Sequence, residues 1–183
     1  MQKQILLIND LPGYGKVALS AMIPVLSHMG HHLYNLPTAL VSNTSDYSVP
    51  NYTEATCLAG LEYLEGGLTE SQAEKLIRNL IQAGAKSIAV TSAKVNGQDC
   101  VIVYDSVAET IDYLPFDYIP VRFPGTGDIF SAIFMGNILK GLDLITSTRR
   151  AMDNVRTMLD ANRDNEDKYK GIPVESCLEV LDR

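Results

Sequence analysis

At 183 residues with 46% hydrophobic content, the chain is long enough for one domain with a sizeable core and too short for two comfortable ones. Fifteen Lys and Arg against 22 Asp and Glu leave a formal charge of -7, with no basic stripe that could displace counterions from a phosphate backbone. That pattern argues against a nucleic-acid partner but not against ATP, whose phosphates need local backbone donors and Mg2+ rather than net positive charge.

The chain enters at once on the apolar run 5–8, which is too short for a signal-peptide core or a membrane span, so a soluble cytoplasmic protein with no membrane partner is expected. The run reads as a strand. Val17, Ala18, Ala21, Met22, Val25, Leu26 and Met29 then recur at helical spacing up to a stop at Gly30. A second strand at 33–36 completes a β-α-β unit with a right-handed crossover.

Thr69 opens the next helix, with Gln72 at capping-box distance and Ala73, Leu76, Ile77, Leu80 and Ile81 on one face before Gly84. The apolar run 87–91 reads as a buried strand. Residues 100–104 and 110–114, separated by a polar turn, read as an antiparallel pair at a sheet edge. Helices are expected over 129–139, ended by Lys140-Gly141, and over 144–159. The charged stretch 160–170 reads as a solvated loop, and a last helix is expected near 174–181. Alternating strands and helices make the fold class α/β, and interior positions are expected for strands 5–8 and 87–91.

Cys57, Cys100 and Cys177 are far apart and have no second Cys or His at metal-ligand spacing, so they read as reduced thiols in or near the core. His28, His31 and His32 straddle the Gly30 stop without a common ligand face and read as a solvated helix terminus. Gly13-Tyr14-Gly15-Lys16 suggests a P-loop, but Asp10 stands where the first Gly is needed and Val17 where a Ser or Thr must meet Mg2+.

The most informative stretch is Gly125-Thr126-Gly127-Asp128, between a Pro-punctuated segment and an amphipathic helix. Two glycines permit positive φ and close backbone approach, and a helix start presents unpaired N–H groups to an anion. A carboxylate there would repel phosphate unless it has a chemical task, such as taking a proton from an attacking hydroxyl. The competing reading is a plain helix cap.

Gly125-Thr126-Gly127-Asp128-Ile129-Phe130-Ser131-Ala132 resembles the signature of the ribokinase-like superfamily, and its neighbours resemble pyridoxal kinases. Val49-Pro50-Asn51-Tyr52-Thr53-Glu54-Ala55 is similar to that family's Pro-Asn-x-x-Glu motif. Val90-Thr91-Ser92 is similar to the strand end that approaches the nucleotide, and Val41-Ser42-Asn43-Thr44-Ser45-Asp46-Tyr47 to the segment beside the pyridine ring. The matched stretches span most of the chain in the family's order.

The resemblance implies a three-layer, doubly wound, mostly parallel sheet in a single domain over 1–183. It also implies transfer of the ATP γ-phosphoryl group to the 5′-hydroxymethyl of pyridoxal, pyridoxine or pyridoxamine. Asp128 would be the base, and the N–H groups of Gly125, Thr126 and Gly127 an anion hole. Glu54 would place Mg2+ through water, Asn51 would line the phosphate channel, and Thr91 and Ser92 would meet the ATP phosphates. Asp10, Tyr14 and Ser45 would bind the substrate. A monovalent cation and a homodimer are compatible with the resemblance.

Three departures stand against it. Asp10 replaces a Ser that contacts the pyridine, Ala18-Leu19 replaces a Gly-Asn pair at a helix start, and Ser48 abuts Val49 where the family carries a long insert with central strands. Either a stretch is left out at 48/49, or the protein lacks those strands and leaves sheet edges exposed. Two alternatives follow: a hydroxymethylpyrimidine or sugar kinase of the same fold, and a catalytically silent nucleotide-binding or regulatory protein.

Overall fold

A computed structural model describes residues 4–9, 18–37 and 47–182. The chain divides into two compact units, Met1–Ser42 with Ile119–Arg183, and Asn43–Tyr118.

In the first unit, β1 (Gln4–Asn9) and β2 (His32–Pro37) pair in parallel, from Gln4 opposite His32 to Asn9 opposite Pro37, with α1 (Leu19–His28) as the crossover. The β-α-β reading is therefore correct. At the end of α1, His31 N–H reaches Leu26 C=O at 3.1 Å and Gly30 N–H reaches Ser27 C=O at 3.0 Å. This paired closure needs the positive φ of 84° that Gly30 supplies without a Cβ clash.

α4 (Thr126–Lys140) buries Ile129, Phe130, Ala132, Ile133, Phe134, Gly136 and Asn137, more than one face of a helix, because α1 and α5 (Leu144–Ala161) both pack on it. The Met29 side-chain tip lies where a Cβ on Gly136 would stand, so the small residue lets α1 approach closely. His31 Nε2 sits 3.3 Å from Gly136 O, and His28 Nε2 sits 2.9 Å from Asp182 Oδ1. These two histidines are thus tied to the fold rather than simply solvated.

Two further expectations change in this unit. α5 continues to Ala161, and two ion pairs tie the stretch that follows, Arg163 with Asp160 at 2.7 Å and Lys170 with Asp167 at 2.5 Å. The expected last helix is instead two short 3₁₀ turns, Val174–Ser176 and Leu178–Asp182. Ile172 and Val174, at the entry to these turns, are both fully buried. Cys177 N–H closes onto Val174 C=O, three residues back, at 2.9 Å, the spacing of a 3₁₀ turn.

The second unit contains β3 (Tyr47–Ser48), α2 (Tyr52–Leu58), α3 (Glu70–Gln82), β4 (Ser87–Val95), β5 (Gln98–Asp105) and β6 (Thr110–Pro115). Its sheet runs β3-β4-β5-β6, parallel at the first pair and antiparallel at the other two. The fold is α/β with mixed strand pairing, and β4 is interior as expected. α3 starts on the Thr69/Gln72 capping box read from the sequence. Its apolar stripe, with Leu76 and Ile77, meets Ile88, Val90 and Ile102 in a core where all five are fully buried.

Sequence reasoning missed α2 and the length of β4 and β5. The two strands are joined by the two-residue turn Asn96-Gly97, with φ of 50° and 82°, a strong hairpin signal that was legible in the sequence. Tyr47 and Ser48 face Ser87 and Ile88, and Asn51 faces Thr91, so 47–51 runs beside 87–91 residue for residue. The Ser48–Val49 step lies inside that extended run. Of the cysteines, Cys100 and Cys177 are buried, but Cys57 is exposed, which corrects its expected place near the core.

Candidate functional site

The first unit presents the start of α4. Gly125 is its N-cap, in the left-handed region at φ 83°, and offers no side chain to the helix. The first helical bond runs from Ile129 N–H to Gly125 C=O at 3.0 Å, so the N–H groups of Thr126 and Gly127 lie ahead of it with no partner inside the helix. Among the described residues, no heavy atom lies within 4 Å of where a Cβ on Gly127 would stand. Backbone donors, the positive end of the helix dipole and open space above a glycine therefore coincide, as an anion-binding turn requires.

Asp128 stands in the first turn of this helix, half-buried. Its Oδ2 accepts a hydrogen bond from Ala18 N–H at 2.9 Å, at the start of α1. The carboxylate is thus held by backbone from a segment 110 positions away. Ser131 Oγ donates to Gly127 C=O at 2.9 Å, which steadies the turn from below.

The second unit brings together four other residues named from the sequence. Asn51 and Glu54 form a reciprocal capping box at the start of α2. Thr91 N–H donates to Pro50 C=O at 3.0 Å, which sets Asn51 beside Thr91 across a parallel bridge. Ser92 follows, exposed, with φ 56° at an irregularity between Val90 and Ala93. A non-glycine residue at positive φ on a bulge re-aims the strand end locally. Asp10, Tyr14 and Ser45 lie outside the described residues.

Glu54 Oε2 is engaged by Asn51 N–H at 2.9 Å, while no hydrogen bond falls on Oε1 among the described residues. No group of three or more His, Cys, Asp or Glu suited to a metal occurs among the described residues. An exposed carboxylate with one oxygen to spare fits a Mg2+ that keeps its waters and takes its other ligands from phosphate.

Against the family models, residues 27–172 match that described as phosphomethylpyrimidine kinase. The chain belongs to the phosphomethylpyrimidine kinase family. It is therefore a phosphotransferase by family, and the α4 turn lies within the matched span. No curated protein matches the chain by sequence.

Among solved structures, a Bacteroides thetaiotaomicron protein assigned as a phosphomethylpyrimidine kinase, crystallised with pyridoxal, has a TM-score of 0.88 at 21% identity. That match covers 100% of this chain and 96% of that one. Pyridoxal kinase from Lactobacillus plantarum has a TM-score of 0.79 at 17% identity, over 97% of this chain and 96% of that one. Pyridoxal kinase from Leishmania donovani, in complex with ADP and pyridoxine, has a TM-score of 0.76 at 12% identity, over 98% and 95%. At these identities the likeness establishes the fold.

Proposed function

We propose that this chain transfers the γ-phosphoryl group of ATP to the 5′-hydroxymethyl group of a vitamin B6 vitamer, with Asp128 as the general base. The observation that carries this reading is the Asp128 carboxylate in the first turn of α4, beside the backbone N–H groups of Thr126 and Gly127 that precede the first intrahelical bond. The solved structures with pyridoxal, and with ADP and pyridoxine, support the choice of acceptor.

The chemistry follows from those groups. The acceptor hydroxyl oxygen forms a bond to the γ-phosphorus, its proton passes to the Asp128 carboxylate, and the bond from that phosphorus to the β–γ bridging oxygen breaks to release ADP. Negative charge on the transferring group is met by the N–H groups at the start of α4, which are already in place and need no reorganisation. Asn51 Oδ1 is engaged by Glu54 N–H at 3.0 Å, which leaves its Nδ2 to donate to a phosphate oxygen. Thr91 and Ser92, at the adjoining strand end, are the other nucleotide contacts in this reading. Mg2+, held by phosphate oxygens and through water by Glu54, would neutralise phosphate charge. The family match runs through both units, and the whole of 1–183 is read as one kinase domain.

A second reading keeps the residues and changes the acceptor to a hydroxymethylpyrimidine, favoured by the family match itself. ADP release with pyridoxal, pyridoxine, pyridoxamine and hydroxymethylpyrimidine, with product mass for each, separates the two. Preference for a B6 vitamer is expected. Preference for the pyrimidine moves the substrate, and absence of phosphoryl transfer to any acceptor overturns both in favour of a silent nucleotide-binding protein.

A further inference from the structure

We propose that the backbone N–H of Ala18 is a positioning group for the transfer step, fixing the Asp128 carboxylate through its 2.9 Å hydrogen bond to Oδ2. The proposal rests on the reading of Asp128 as base and concerns what holds that base in place.

Ala18 sits at φ 50° and ψ -130°, a region that glycine enters freely and alanine only at a cost. Such a conformation persists where the surroundings over-determine it. Here they do so from both sides of the residue. Ala18 C=O accepts from Ala21 N–H and Met22 N–H, each at 3.0 Å, and so begins α1, while its N–H points to Asp128. Ala18 is buried and has no side chain able to cap α1, and its own N–H takes its acceptor from α4.

α1 and α4 also pack side by side. Ala18 meets Asp128 at the start of both, and beyond the far end of α1 Met29 and His31 meet Gly136, about two turns past Asp128 in α4. Two positive helix ends thus converge on one carboxylate. A carboxylate clamped by backbone cannot swing away through a side-chain rotation of its partner, which suits a base that must meet a hydroxyl at a set distance.

The bland alternative is that Asp128 merely caps α1, and a backbone ester separates the two. Replacing Ala18 with lactic acid removes the N–H and keeps the methyl group. The positioning role predicts that kcat falls about tenfold, the scale of losing a hydrogen bond to a charged group, while KM for ATP stays unchanged. In the Asp128→Asn background the same ester should cost no further kcat, because its effect runs through the carboxylate. Ala18→Gly, which keeps the N–H and relieves the backbone, should stay within about twofold of the parent. An ester variant with near-parental kcat, or losses that multiply in the double variant, overturns the proposal. Because the ester can impair folding, a second measurement uses the parent chain. A through-hydrogen-bond NMR coupling between Ala18 N and Asp128 Cγ should persist with a non-hydrolysable ATP analogue and pyridoxal bound, and its loss in that complex also overturns the proposal. Failure here with Asp128→Asn still inactive leaves the base assignment standing. Near-parental turnover of Asp128→Asn removes the base assignment itself.

Discussion

Asn51 and Glu54 hold each other: Asn51 N–H donates to Glu54 Oε2 at 2.9 Å and Glu54 N–H donates to Asn51 Oδ1 at 3.0 Å. Both residues are read as phosphate-side groups, so cap and function must be separated by substitution. Asn51→Ala should cost about 1 kcal/mol through loss of the cap, or about 2–4 °C in Tm for a chain of this size. Glu54→Gln keeps an acceptor for Asn51 N–H, so Tm should hold while the Mg2+ concentration for half-maximal rate rises several-fold. Thermal melts and a Mg2+ titration of rate check the pair. An unchanged Mg2+ requirement would leave Glu54 as a cap alone.

Asp128→Asn should lower turnover of the preferred acceptor by roughly 10²-fold or more, with ATP affinity within a few fold, because Asn keeps the shape but cannot take the hydroxyl proton. It can still accept from Ala18 N–H through its amide oxygen, so Tm should move little. Parallel kcat, ATP-binding calorimetry and melting measurements decide it. Turnover near that of the parent would assign Asp128 to α1 capping.

Ser92 holds φ 56° at the irregularity in β4, where glycine would be unstrained. Ser92→Gly should therefore leave stability unchanged or raise it by up to about 1 kcal/mol, whereas Ser92→Val, branched at Cβ, should lower it by about 1–3 kcal/mol. Urea denaturation midpoints measure both. If the hydroxyl meets a phosphate, Ser92→Gly should also raise KM for ATP despite its greater stability.

Burial pushes the Cys100 thiol up from 9.0 to about 11, and burial and then the Glu74 and Glu70 carboxylates raise the Tyr113 hydroxyl in the same direction. Both groups are neutral when protonated. For Cys100, the unfolded chain releases its proton first, so its stabilising contribution is complete below pH 9 and is lost as pH rises towards 11. Stability should therefore fall over that window, and Cys100→Ala should flatten part of the slope even though it lowers stability overall. Urea melts from pH 8 to 11 test this at about one-unit intervals. At neutral pH, exposed Cys57 should react first with a thiol reagent, and Cys57→Ser should abolish that fast phase.

Residue type and spacing were enough for the parts of this protein that depend on neighbours a few residues apart. The Thr69/Gln72 box, the Gly30 end of α1 and the Gly141 end of α4 are closed by bonds spanning three to five positions, and each is readable from residue type and spacing. The Asn96-Gly97 hairpin and the Asn51/Glu54 box belong to the same class and are equally legible in the sequence.

Tertiary structure alone decided the pairings between distant segments. Nothing near Ala18 indicates that its N–H will meet a carboxylate 110 positions on, because that contact is set by α1 packing on α4 at Gly136. The same holds for Asn51 beside Thr91 and for the 3₁₀ turns that displaced the expected last helix. Local hydrogen bonds are specified by chain geometry within a turn. Long-range ones follow from which apolar faces bury together, and periodicity names those faces without naming their partners.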